Sequence, residues 1–126
     1  MEKVLLNHVA VQNKSKKESD LFFEEILEIP KVKEFDLSKD LSEKIFGLSE
    51  EVKVCVYDNT KVRLEVFITN KIKNLSFDHI CINVSSKEEL IEKCKKFGLE
   101  IRLVDKGEKT LLFIKDFSEN IYEIKS

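Results

Sequence analysis

The sequence predicts an α+β fold built from two copies of a βαβββ module, and three observations carry that prediction. The runs LNHVAVQN (6–13) and FDHICINV (77–84) are short, apolar and β-branched, and hold the chain's two histidines, His8 and His79, 71 positions apart. At the same offset Ser15 falls on Ser86 and Glu18 on Glu89, so a Ser-x-x-Glu capping box follows each run. Each box opens a helical stretch, and strand-like runs follow it; the last of these holds a glutamate between apolar neighbours, Glu65 in LEV and Glu123 in YEI.

The elements follow in order. After the first strand, Phe22, Phe23, Ile26 and Leu27 form the apolar stripe of a helix that Pro30 stops. Strand signals are weak at 32–35 and clear at KVCVY (53–57) and VRLEVFI (62–68), which the turn Asp58-Asn59-Thr60 joins. After the second strand with histidine, Leu90, Cys94 and Phe97 recur at helical spacing, and Gly98 sits where a C-terminal cap belongs. LEIRLV (99–104), TLLFIK (110–115) and IYEIK (121–125) then read as strands, with turns at Lys106-Gly107-Glu108 and at 116–120.

His8 to Glu65 is 57 positions and His79 to Glu123 is 44; the difference of 13 is about the length of the polar stretch 37–51, expected to form a short helix or loop over one rim. Module 1 is placed at about 1–69 and module 2 at about 76–126, within one domain spanning 1–126.

Composition sets limits. Hydrophobic residues are 42% of the chain, enough for a core; charged residues are 37% but sum to −2, with no basic half to form a nucleic-acid footprint. No apolar run nears the ~18 residues of a membrane helix, and the N-terminus lacks a signal-peptide pattern, which implies a cytoplasmic protein. Cys55, Cys81 and Cys94 are odd in number and have no CxxC spacing, so buried free thiols are expected.

Side chains alternate across a strand. His8 shares a face with Leu6, Ala10 and Gln12; Glu65 shares one with Arg63 and Phe67; His79 lies with Phe77 and Cys81, and Glu123 with Ile121 and Lys125. The more apolar faces, carrying Val9, Val11, Leu64 and Val66, suit the helices, which leaves both histidines and both glutamates on the opposite, concave face. Two imidazoles and two carboxylates there form a site for a borderline divalent ion such as Ni, Co, Mn, Fe or Zn. Four protein ligands leave open positions on a five- or six-coordinate ion, as Lewis-acid catalysis requires.

At LNHVAVQN, FFEEILEI, VRLEVFI, FDHICINV and FIKDFSENIYEI the chain resembles the vicinal oxygen chelate superfamily over essentially its whole length. That superfamily includes glyoxalase I, methylmalonyl-CoA epimerase, fosfomycin-resistance proteins and extradiol dioxygenases. The resemblance implies a cupped eight-stranded mixed sheet around one divalent metal, with His8, Glu65, His79 and Glu123 as ligands. This His-Glu-His-Glu set is that of glyoxalase I-like members; the fosfomycin proteins and dioxygenases use three ligands. Two departures stand out: the frequent Asp-Pro-Asp-Gly-Asn loop is Asp-Phe-Ser-Glu-Asn at 116–120, and the first helix ends LEIP without a glycine.

The implied activity is that of a glyoxalase-like lyase or isomerase. It binds a small oxygenated metabolite through the metal and moves a proton beside a carbonyl, with Glu123 or Glu65 as base. The alternatives are a methylmalonyl-CoA epimerase-like enzyme and a ligand- or antibiotic-binding protein without turnover. Arg63, Tyr57 and Phe67 are candidate substrate-binding residues, Arg63 also being suited to a cross-strand salt bridge. The resemblance implies a homodimer, and the seven-residue connection 70–76 allows the modules to pair within a chain or across subunits.

Overall fold

A computed structural model describes residues 7–71, 80–106 and 108–126. The chain divides into two compact units, Met1–Lys73 and Asn74–Ser126. Each unit carries one four-stranded mixed sheet.

In the first unit β1 (Val9–Asn13) pairs parallel with β4 (Arg63–Ile68), and β3 (Val52–Asp58) and β2 (Lys31–Leu37) follow antiparallel. In the second unit β5 (Ile80–Asn83) pairs parallel with β8 (Ile121–Lys125), and β7 (Lys109–Lys115) and β6 (Ile101–Lys106) follow antiparallel. In each sheet the long connection between the two parallel strands includes a helix.

The first helix, α1, spans Lys16–Asp20 and continues as a π-helical segment over Leu21–Ile26. In that segment Leu27 N–H donates to the Phe22 carbonyl at 3.0 Å, and both phenylalanine rings are completely buried. Glu28, at φ 58°, ends the helix in the place where a glycine is common, and Ile29 N–H donates back to the Phe23 carbonyl.

The helix over Lys87–Lys96, labelled α3, ends as the sequence predicts, with Gly98 at φ 74° and Leu99 N–H on the Cys94 carbonyl. Half of each capping box forms as expected. Ser15 Oγ accepts from Glu18 N–H at 3.1 Å, and Ser86 Oγ accepts from Glu89 N–H at 3.2 Å. The hydroxyl protons go to Glu18 in the first box and to Glu88, one residue early, in the second.

The inserted stretch forms α2 (Lys39–Phe46), capped by Ser38 Oγ on Leu41 N–H and closed by Gly47 at φ 74°. Its Leu41 and Ile45 side chains are exposed.

Candidate metal centre

Register places the predicted side chains of β3, β4 and β8. In the first sheet Leu64 pairs with Tyr57 and Val66 with Cys55, and all four are buried. Helix α1 covers this side, because the Tyr57 hydroxyl meets Ser19 at 2.8 Å and donates to Asp20 at 2.7 Å. Arg63, Glu65 and Phe67 point the other way, half-buried. The predicted face assignment of β4 therefore holds.

On that side the imidazole Nδ1 of His8 lies 3.4 Å from Oε2 of Glu65 and 2.7 Å from Asn7 Oδ1. His8 precedes the first paired residue of β1, so its ring is only partly buried, with 35% of the side chain exposed. Arg63 donates to Asp58, its register partner across the hairpin, at 2.8 Å, and its Nε lies 3.9 Å from Glu65. Arg63 thus makes the cross-strand salt bridge. The Thr60 amide, followed by Arg63, holds the Asp58 carboxyl below the usual carboxylate range.

Tyr57 does not line this side. It is fully buried under α1, against Phe23 at 4.8 Å between ring centres, and burial pushes its hydroxyl far above the ordinary tyrosine value. Phe67 remains on the Glu65 face.

In the second sheet Glu123 pairs with Cys81 on one side and Phe113 on the other. Glu123 stands against Cys81 in the same register in which Glu65 stands against Ala10. The duplicated modules therefore set their glutamates alike. Cys81 is exposed, contrary to the expectation that all three thiols are buried; Cys55 and Cys94 are buried, and burial pushes the Cys94 thiol up to about 11. His79 lies outside the described residues, as do Leu6 and Phe77. Among the described residues no group of three or more His, Cys, Asp or Glu side chains could hold a metal ion. The His8 and Glu65 pair supplies one imidazole and one carboxylate in contact, which suits a borderline divalent ion.

No protein-family model matches the chain, and no curated protein matches it. Solved structures do. The fosfomycin resistance protein FosX of Listeria monocytogenes superposes with a TM-score of 0.73 at 17% identity, over 99% of this chain and 94% of that one. A glyoxalase family protein of Enterococcus faecalis gives 0.73 at 19%, over 100% of both chains. The trypanothione-dependent glyoxalase I of Leishmania major gives 0.71 at 16%, over 94% of this chain and 84% of that one. This is the vicinal oxygen chelate fold.

Within the vicinal oxygen chelate fold the altered loop at 116–120 keeps its turn. Asp116 is buried and accepts from the amides of Ser118 and Asn120, the Asn120 side chain and the Tyr122 hydroxyl at 2.8 to 3.0 Å. Glu119 takes φ 67° where the common motif has glycine. Burial raises the Asp116 carboxyl above its ordinary value, while those donors oppose the shift. One FosX variant has been solved with Mn(II) and 1S,2S-dihydroxypropylphosphonic acid.

The sequence reading missed Arg102 and Lys115. Both lie in strands whose alternation was legible, on the side of Phe113 and Glu123. Treating the lysine-rich surface as solvated hid them.

Proposed function

We propose that the chain is a metal-dependent enzyme of glyoxalase type. In this reading His8, Glu65, His79 and Glu123 together hold one divalent ion, Ni, Co, Mn, Fe or Zn, and the enzyme moves a proton beside a carbonyl of a small oxygenated metabolite. The observation that carries the proposal is the contact of His8 Nδ1 with Glu65 Oε2 at 3.4 Å, joining the first and last strands of module 1. Two further observations support it: Glu123 repeats the register of Glu65, and His79 repeats His8 at the offset of 71 that also relates the caps. The FosX structure with Mn(II) supports a divalent ion in this fold.

Once bound, such an ion stabilises an oxyanion developing on the substrate. The protein's own groups do the rest. Asn7 Oδ1 lies 2.7 Å from His8 Nδ1 and holds the ring on the side of Glu65. Arg63, anchored by Asp58, stands within reach of Glu65 and keeps that carboxylate oriented. In this reading the proton acceptor is Glu123 or Glu65, whichever is displaced when substrate binds; Glu123 stands opposite Phe113 in the register.

The experiment is a metal analysis of purified protein, stripped with chelator and reloaded, followed by two assays. These are isomerisation of the methylglyoxal hemithioacetal and deuterium exchange into methylmalonyl-CoA. Stoichiometric metal with turnover in either assay that Glu123→Gln abolishes is the expected result. Failure of every added ion to bind would sink the reading; metal binding without turnover in either assay would leave a ligand-binding protein.

A further inference from the structure

A cavity of about 260 Å³ opens on the second sheet, lined by Glu100, Arg102, Val104, Phe113, Lys115 and Ile121. All of these belong to the second unit. Its chemistry is split. Val104, Phe113 and Ile121 supply an apolar wall, and two cations stand over it.

The cations share one carboxylate. Arg102 lies 3.8 Å and Lys115 3.3 Å from the same Glu100 oxygen. Both separations exceed the 2.7–2.9 Å of a strong charge-assisted hydrogen bond. Glu100 is also 55% exposed, so both ion pairs are screened by solvent and little is lost when another anion replaces them. Two positive charges against one negative leave this end of the cavity with a charge of +1.

Arg102 pairs with Phe113, and Phe113 with Glu123, so these three side chains form one row across β6, β7 and β8. Two inter-strand steps of ~4.8 Å put the backbones of Arg102 and Glu123 about 10 Å apart. Ile121 stands on the same side of β8 as Glu123.

The geometry points to a binding site for a small amphipathic monoanion, whose carboxylate sits on Arg102 and Lys115 and whose apolar body lies along Val104, Phe113 and Ile121. The ligand's far end then reaches Glu123. That last clause rests on the metal-enzyme reading above; the anion site itself does not. The substrate class it specifies is a monocarboxylic acid with an apolar body between its acid group and its reacting oxygens.

The test titrates 4-phenylbutyrate, which has an acid group and an apolar body of suitable length, into the ¹⁵N-labelled full chain after chelator treatment. Saturable shifts are expected at the amides of Val104, Phe113 and Ile121. Arg102→Gln and Lys115→Gln should each weaken binding about tenfold, Arg102→Lys should restore most of it, and Glu100→Gln should tighten it. The neutral 4-phenylbutanol should not saturate. Equal binding of acid and alcohol, unchanged affinity in both glutamine variants with native spectra, or shifts that never saturate would each overturn the assignment.

Metal affinity is measured on the same proteins by calorimetry. Acid binding without metal binding leaves this site standing and removes the metal-enzyme reading. Metal binding without acid binding does the reverse.

Discussion

The Nδ1 of His8 lies 3.4 Å from Oε2 of Glu65, although 57 residues separate them. The parallel pairing of β1 with β4, with Ala10 opposite Glu65, brings them together. Neither side chain belongs to the buried core, so replacing either should cost little stability. His8→Ala and Glu65→Ala are expected to weaken divalent-metal affinity by more than the ~10–100-fold that changing an outer partner of a ligand costs. Arg63→Gln should stay within that lesser range. Calorimetric titration with Mn, Co, Ni and Zn checks all three.

Asp116 gathers four donors in the turn before β8, one of them the hydroxyl of the fully buried Tyr122. Asp116→Ala leaves those donors without their acceptor, at about 1–3 kcal/mol for a buried group so stranded. A loss of roughly 3 kcal/mol is expected in urea unfolding. Tyr122→Phe should cost less in the Asp116→Ala background than in the parent, because the shared hydrogen bond is already gone.

Thr60 and Glu119 hold φ values of 73° and 67°, the left-handed region that side chains with a Cβ disfavour. Thr60 is β-branched, which makes its conformation the more costly of the two. Thr60→Asn and Glu119→Gly are expected to raise stability by about 0.5–1 kcal/mol each, read as an upward shift in the urea midpoint at constant slope.

Glu34 is held at about 2 by hydrogen bonds first from Lys31 and then from Lys16. Its folded value lies below the ordinary 4.5, so its contribution is complete above that value and is lost as pH falls from there towards 2. Asp116 has the opposite sign: its raised value favours the folded state at low pH, and that contribution fades as pH rises through the folded value. Glu34→Gln should therefore flatten the acid limb of the stability profile, whereas Asp116→Asn should not. Urea midpoints measured from pH 2 to 7 test the contrast.

Most strands and the two helices capped by Ser15 and Ser86 were legible because their signals are local. Ser15 and Ser86 cap where they were expected to, since an N-cap needs only its own first turn. The grouping of Arg63, Glu65 and Phe67 was legible too, because alternation along β4 separates them from the buried Leu64 and Val66. The weak signal at 32–35 became a strand of seven residues, whose hydrogen bonds to β3 outweigh its charged composition.

By itself, then, the sequence determined the duplication, the order of the elements, and the identity of the residues that share a strand face. The tertiary structure decided which faces are covered. Along β3, Val52, Val54 and Val56 alternate with Cys55 and Tyr57, and all five are buried, so a period of two carries no polarity there and could not tell that Tyr57 lies under α1. The π-helical segment over Leu21–Ile26 was equally hidden, because Phe22, Phe23, Ile26 and Leu27 have the spacing of an ordinary helical stripe. Local pattern fixes neighbours along a chain; burial depends on what the rest of the chain places opposite them.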